Sequence, residues 1–158
     1  MKLQMVLEKK VERGHERLYD IPSTVTRRDV ARRLCEKRIG ALMVREGEGA
    51  AARYIGIVSE RDVLRYSCSE EPLDAIKVTD AMTPNVVAAT LDDAVEYVMK
   101  VMTRHHIRHI PVVDETARPS VVGLLSIRDL LHALIDEKEV VIQHLNDLTA
   151  GTYGNVVF

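Results

Sequence analysis

Two stretches of the chain place apolar residues at helical spacing, and each is followed by the same series of short aliphatic runs. Within residues 27–38 the apolar positions are Val30, Ala31, Leu34 and Cys35; within 94–106 they are Val95, Val98, Met99 and Met102. Steps of three and four residues put these side chains on one face, so both stretches are predicted helices. After each comes an aliphatic run at 41–44 or 110–113, a turn-rich gap, and a second run at 54–58 or 121–125, the pattern of a β-hairpin. Further runs at 18–21 and 86–89 predict one strand ahead of each helix, which then crosses over between parallel neighbours. Another helix begins just past Ser59 and Ser126. The expected unit is strand, helix, strand, strand, helix, written twice.

The copies can be laid on one another. GIVSERD at 56–62 returns as GLLSIRD at 123–129, with Gly56 falling on Gly123 and Ile39 on Ile107, so their spacings differ by one residue, which a loop absorbs. Such self-similarity signals a duplicated architecture, and units of roughly 60 residues are each marginal alone. The expected division is an N-terminal helix over 1–16, a first repeat over 17–77, a second over 78–135, and a C-terminal helical extension and tail over 136–158. VTDAMTPN at 78–85, with its Thr-Pro-Asn turn signal, reads as a linker. EGEGAA at 46–51 reads as a loose hairpin, because it does not lead from a strand into a helix as a phosphate loop does. The last helix, over 128–148, carries Leu131, Leu134, Ile135, Val141, Ile142, Leu145 and Leu148, more than one face needs. That excess predicts a partner helix from a second copy of the chain; the competing expectation is packing on the N-terminal helix at 2–12. GTYGNVVF after it reads as an extended tail.

Composition narrows the classes. At 158 residues, 46% hydrophobic and 29% charged, the chain can bury a core, and a net charge of −2 without basic blocks argues against a nucleic-acid binder held by phosphate neutralisation. No apolar run reaches the roughly 18 residues of a membrane span, and MKLQMVLEKKVERGHERL lacks the apolar stretch of a signal peptide. A soluble, cytoplasmic protein is expected. Cys35 and Cys68, without CxxC spacing, fit a reducing compartment and ordinary helix packing.

DAMTPNVV ahead of the second copy, IGALMV and IRHIPVVD at the second strands, GIVSERD and GLLSIRD at the third, and LNDLTAGTYG near the end occur in a telling order. Together they resemble the paired cystathionine-β-synthase (CBS) domain, or Bateman module, over 18–150. The resemblance implies an α/β (α+β) fold of two βαββα repeats packed as a pseudo-two-fold module. It also implies clefts between the repeats that bind adenosine ligands, and a disk-like homodimer formed through helices.

The repeated Ser-x-x-Asp admits two chemical readings. Ser59 with Asp62, and Ser126 with Asp129, have the spacing of a capping box, in which hydroxyl and carboxylate satisfy the free amides of a helix start. They also have what an anionic sugar ligand requires. The preceding Gly lets a ligand approach the backbone, free amides attract phosphate, Arg61 and Arg128 add a cation, and a carboxylate can accept from both ribose hydroxyls. The readings are compatible. The resemblance implies Asp62 and Asp129 on ribose, Ser59 and Ser126 near phosphate or ribose, and Arg108 and His109 on phosphate. The first copy departs from this, with Gly40 and Ala41 where the second has Arg108 and His109. The Asp129 site is therefore expected to be the stronger, or one cleft to take the longer ligand. For an adenine slot the candidates are Val86 and Val87 with Ile107 and Ile110, with 18–21 as counterparts in the first repeat; all would equally serve a core. His105, His106 and His109 raise the question of a metal, but neighbouring strand residues diverge and no Cys or carboxylate completes a set, so none is expected.

Neither copy pairs a nucleophile with a base. Each Asp instead follows an Arg, a combination suited to holding an anion. The expected function is a non-catalytic sensor that binds AMP, or else ATP, ADP or NAD, and signals to a separate protein by conformational change. No catalytic cofactor, nucleic acid or membrane enters this expectation. Two rivals stand beside it: a structural interaction protein with vestigial clefts, and an enzyme acting on nucleotides through His105, His106 and His109.

Overall fold

The computed structural model of the chain describes residues 1–68, 72–116 and 119–153, with side chains excepted at 50, 144 and 147–153. α1 (Leu3–Glu12) leads into a first unit of β1 (Asp20–Pro22), α2 (Arg27–Lys37), β2 (Ala41–Glu46), β3 (Arg53–Ser59) and α3 (Glu60–Ser67). α4 (Val78–Ala81) leads into a second, of β4 (Ala89–Thr90), α5 (Val95–Arg104), β5 (His109–Asp114), β6 (Ser120–Ser126) and α6 (Ile127–Tyr153). Two three-stranded sheets result, ordered β1-β2-β3 and β4-β5-β6, each with one parallel and one antiparallel pair. The predicted pair of βαββα units and the α+β class are both present.

Local causes are visible at the helix ends. Thr26 starts α2 with a capping box, its hydroxyl accepting from the Asp29 N–H at 3.4 Å while the Asp29 carboxylate accepts from the Thr26 N–H at 3.0 Å. α2 and α5 are each followed by a left-handed residue, Arg38 and His106, both with φ of 53°, which turns the chain into the next strand. α2 buries Val30 and Leu34, and α5 buries Val95, Val98 and Met102. Cys35 and Cys68 are exposed rather than packed. Cys35 lies one residue, about 100°, beyond Leu34 and so off the buried arc.

The units exchange their leading segments. Leu3 N–H donates to Asp93 O at 3.0 Å, and Val78 N–H donates to Val25 O at 2.9 Å. Side chains repeat the exchange: a Cβ on Gly123 would meet Leu7 Cδ2 at 2.5 Å, and one on Gly56 would meet Met82 Sδ at 2.7 Å. Backbone contacts do so again, Leu124 N–H donating to Arg17 O at 2.8 Å and Ile57 N–H to Thr83 O at 3.0 Å. Leu3 and Val78, Leu7 and Met82, and Arg17 and Thr83 thus take equivalent places, each segment on the repeat it does not precede. Leu3, Val6 and Leu7 join the core of the second repeat, and Val78 that of the first. Between the sheets, Ala41 and Met43 of β2 meet Leu124 of β6.

This exchange corrects the expected linker. Val78 and Ala81 are fully buried, so the start of 78–85 is a packed helical turn. The leading strands also begin later than predicted, at Asp20 and Ala89, leaving Val86 and Val87 outside β4. α6 runs through Gly151 to Tyr153 where an extended tail was expected, a glycine costing only about 1 kcal/mol in a helix interior. Residues 154–158 and the Leu148 side chain lie outside those described. α6 buries Leu130 and Ala133, pairs through Asp136 with Lys9 of α1 and with Arg13 just past its end, and leaves Leu131, Ile135, Val141, Ile142 and Leu145 exposed. Among the described residues no helix is long and apolar enough to cross a membrane.

Candidate functional site

The turn from β6 into α6 is a complete capping box. The Ser126 hydroxyl accepts from Asp129 N–H at 3.2 Å, while Asp129 Oδ2 accepts from Ser126 N–H at 2.7 Å and from its hydroxyl at 2.8 Å. Both bonds to the carboxylate fall on one oxygen. Oδ1 of Asp129 has no partner among the described residues, and a carboxylate can accept from several donors. The turn from β3 into α3 repeats the box, Asp62 Oδ2 accepting from Ser59 N–H at 2.8 Å and Ser59 Oγ at 2.7 Å. There the second oxygen is engaged: Arg65 reaches Asp62 Oδ1 at 3.4 Å, and Asp62 is only 8% exposed. In the second copy His132 stands in the place of Arg65 and is exposed.

Ile127 N–H donates to Arg108 O at 2.9 Å, which holds the start of β5 beside the start of α6. Ser126, Arg128, Asp129, Arg108 and His109 thereby line one cleft of about 280 Å³. Its opposite wall comes from the first repeat and α1, chiefly Tyr19, Ile39, Ala41, Arg38 and Lys10. Four expected residues lie elsewhere. Ile110 is 1% exposed in the core, Ile107 packs against that core, and Val86 and Val87 sit on the segment ahead of β4. For Val86 and Val87 the exchange of leading segments is the reason, while Ile107 and Ile110 are drawn into the core of their own repeat. Arg17 is bonded to β6, so the segment entering the first repeat, with Tyr19, runs along the cleft that holds Asp129. Ser59, Arg61 and Asp62 form the equivalent turn of the first repeat, where Arg61 donates to His106 O at 3.5 Å. Tyr19 belongs to 18–21, expected at the slot of the first repeat and found beside Asp129 instead, whereas Lys10 and Arg38 were not singled out from sequence. Arg38 was accessible through its equivalence to His106; Lys10 belongs to no repeated motif.

Gly40 explains the unequal copies. A Cβ there would come within 2.9 Å of His109 Cε1 and Nε2, so the first repeat lacks a side chain where the second inserts its imidazole. Burial, with help from the Arg108 guanidinium, pushes His109 down to about 4, against the opposing pull of Asp129. At neutral pH the ring is uncharged, a hydrogen-bonding group of the cleft rather than a cation. The folded value lies below the ordinary His value near 6.5. This contribution to stability is therefore intact above pH 6.5 and is lost as pH falls through about 4, by about 3 kcal/mol in all. Urea midpoints at pH 7 and pH 4.5 are expected to converge in His109→Gln; a wild-type-sized gap in the variant would remove His109 as its source.

His105 and His106 are exposed at the end of α5 while His109 turns into the cleft. Among the described residues no group of three side chains could hold a metal ion.

A capped helix start, an open carboxylate oxygen and guanidinium groups line a cleft between two exchanged βαββα units, the architecture of a paired-repeat module. The sequence profile of the CBS domain matches residues 16–69 and 78–136, and the chain belongs to the CBS-domain family. It is 33% identical over 129 residues to the CBS domain-containing protein CBSX3, mitochondrial, of Arabidopsis thaliana, a match covering 79% of this chain and 60% of the plant protein. A CBS-domain protein of Burkholderia ambifaria MC40-6 superposes with a TM-score of 0.75 at 31% identity, covering 86% of this chain and 95% of that one. The CBS domain protein PAE2072 of Pyrobaculum aerophilum, solved in complex with AMP, has a TM-score of 0.68 at 29% identity, covering 82% of this chain and 89% of that one.

Proposed function

We propose that this protein is a non-catalytic sensor of an adenosine nucleotide, AMP above all, which binds in the Asp129 cleft and is reported to a partner protein. The observation that carries the reading is the unengaged Oδ1 of Asp129, beside a helix start and within a cleft lined by Arg38, Arg108 and Arg128. Oδ1 accepts from the ribose diol, and the first amides of α6 with the guanidinium groups take the phosphate. Tyr19, Ile39 and Ala41 offer the base an apolar wall. The AMP complex of the Pyrobaculum relative supports the choice of ligand. So does size, because about 280 Å³ is at the small end for ligand pockets and suits a mononucleotide better than NAD.

Asp62, held by Arg65, makes the other turn the weaker site. Ligand between the repeats favours one arrangement of them over another, and that differential affinity is the signal. The reading extends to a cytoplasmic homodimer joined through α6, where Leu131, Ile135, Ile142 and Leu145 recur at helical spacing and stay exposed. Calorimetry with AMP, ADP, ATP and NAD tests the proposal. One dominant site per chain, tightest for AMP, is expected; failure to take up any of the four would overturn it.

A further inference from the structure

We propose that Lys10, carried to the cleft by a segment that the first copy alone possesses, sets the preference of this site for a phosphate-bearing ligand over its uncharged nucleoside. The inference rests on the nucleotide reading above and gives a role to a residue outside both duplicated motifs. Met82 and Thr83 are adjacent, whereas their structural equivalents Leu7 and Arg17 are separated by residues 8–16. The added residues prolong α1 across the β6–α6 turn, and the chain then reverses through Gly14, whose φ of 82° suits glycine.

On this overhang Lys10 Nζ donates to Leu124 O at 2.6 Å and lies 3.4 Å from Asp129 Oδ2, with its side chain only 10% exposed. An ammonium has three N–H donors. Two are engaged by those oxygens, and among the described residues the third has no acceptor. The charges on the cleft walls are then unequal: Lys10, Arg38, Arg108 and Arg128 face Asp129 and Glu60. The positive excess matches a phosphate monoester, which carries about −1.5 to −2 at pH 7. The Lys10 side chain is largely shielded from water, and a shielded charge acts more strongly than a solvated one. Without Lys10 half of that excess disappears, and Asp129 loses the cation that lies 3.4 Å from its Oδ2. An uncharged nucleoside, which calls only on Oδ1 and the apolar wall, is indifferent to the change.

Calorimetry of the full chain with AMP and with adenosine reads the difference. Lys10→Met is expected to weaken AMP about tenfold or more and to leave adenosine within about twofold, while Lys10→Arg keeps AMP within about threefold. Should the apolar variant fold poorly, Lys10→Gln retains a donor to Leu124 O without the charge and is expected to show the same split. Unchanged AMP affinity in a folded variant overturns the assignment. Parallel loss of both ligands also overturns it, locating the effect at the sugar, as does a gain in both, which would make Lys10 a plug. Wild-type protein that takes up neither ligand overturns the nucleotide reading itself, so the two failures are distinct.

Discussion

Asp129→Ala is expected to weaken AMP binding about 100-fold or more while lowering the melting temperature by only a few degrees. The two effects separate because they fall on different oxygens. Oδ2 serves Ser126 and lies 3.4 Å from Lys10 Nζ; losing such a cap costs about 1 kcal/mol, or about 2–4 °C for a chain of this size, and the freed ammonium keeps Leu124 O as its acceptor. On the proposed reading, Oδ1, without a partner among the described residues, takes the ribose. Hydrogen bonds to a charged group contribute about 1.5–3 kcal/mol each, and two from a ribose diol give a loss of at least two decades. Asp62→Ala is the control, since its carboxylate is already held by Ser59 and Arg65. It is expected to lose comparable stability and little AMP affinity. Calorimetry and thermal melting of both variants supply the comparison; an Asp129→Ala protein that binds AMP like the wild type would end the ribose assignment.

The largest loss of stability is expected from Leu7→Ala, about 2–5 kcal/mol in urea denaturation. Leu7 is 2% exposed and its methyl groups fill the space above Gly123. Gly123 has no side chain with which to close the resulting void. Met5, on the same helix but 48% exposed, should tolerate Ala to within about 0.5 kcal/mol. A Leu7→Ala change below about 1 kcal/mol would mean that α1 is not a working part of the second repeat's core.

The duplicated elements were legible because their periodicities are strong and occur twice: Val30 and Leu34, like Val98 and Met102, mark a buried helical face without any tertiary information. Ser126 and Asp129 were legible for a similar reason, since a capping box is a local motif. What escaped depends on contacts between distant segments. Tyr19 replaced Val86 and Val87 on the Asp129 cleft because leading segments are exchanged, and no short window of sequence encodes an exchange. Lys10 lies in an ordinary amphipathic helix until that helix is seen against β6. Arg27 is a further case. It occupies the place of Val95 and is fully buried, its guanidinium 5.0 Å from the Tyr66 ring centroid, whereas charge alone would put it at the surface.

The swapped lead-ins have a thermodynamic corollary. Melting either half strips its counterpart of the strap that seals it, so the halves cannot come apart in turn and must denature in a single step. A small molecule gripping the seam then shifts that whole transition, and occupancy becomes readable anywhere in the molecule.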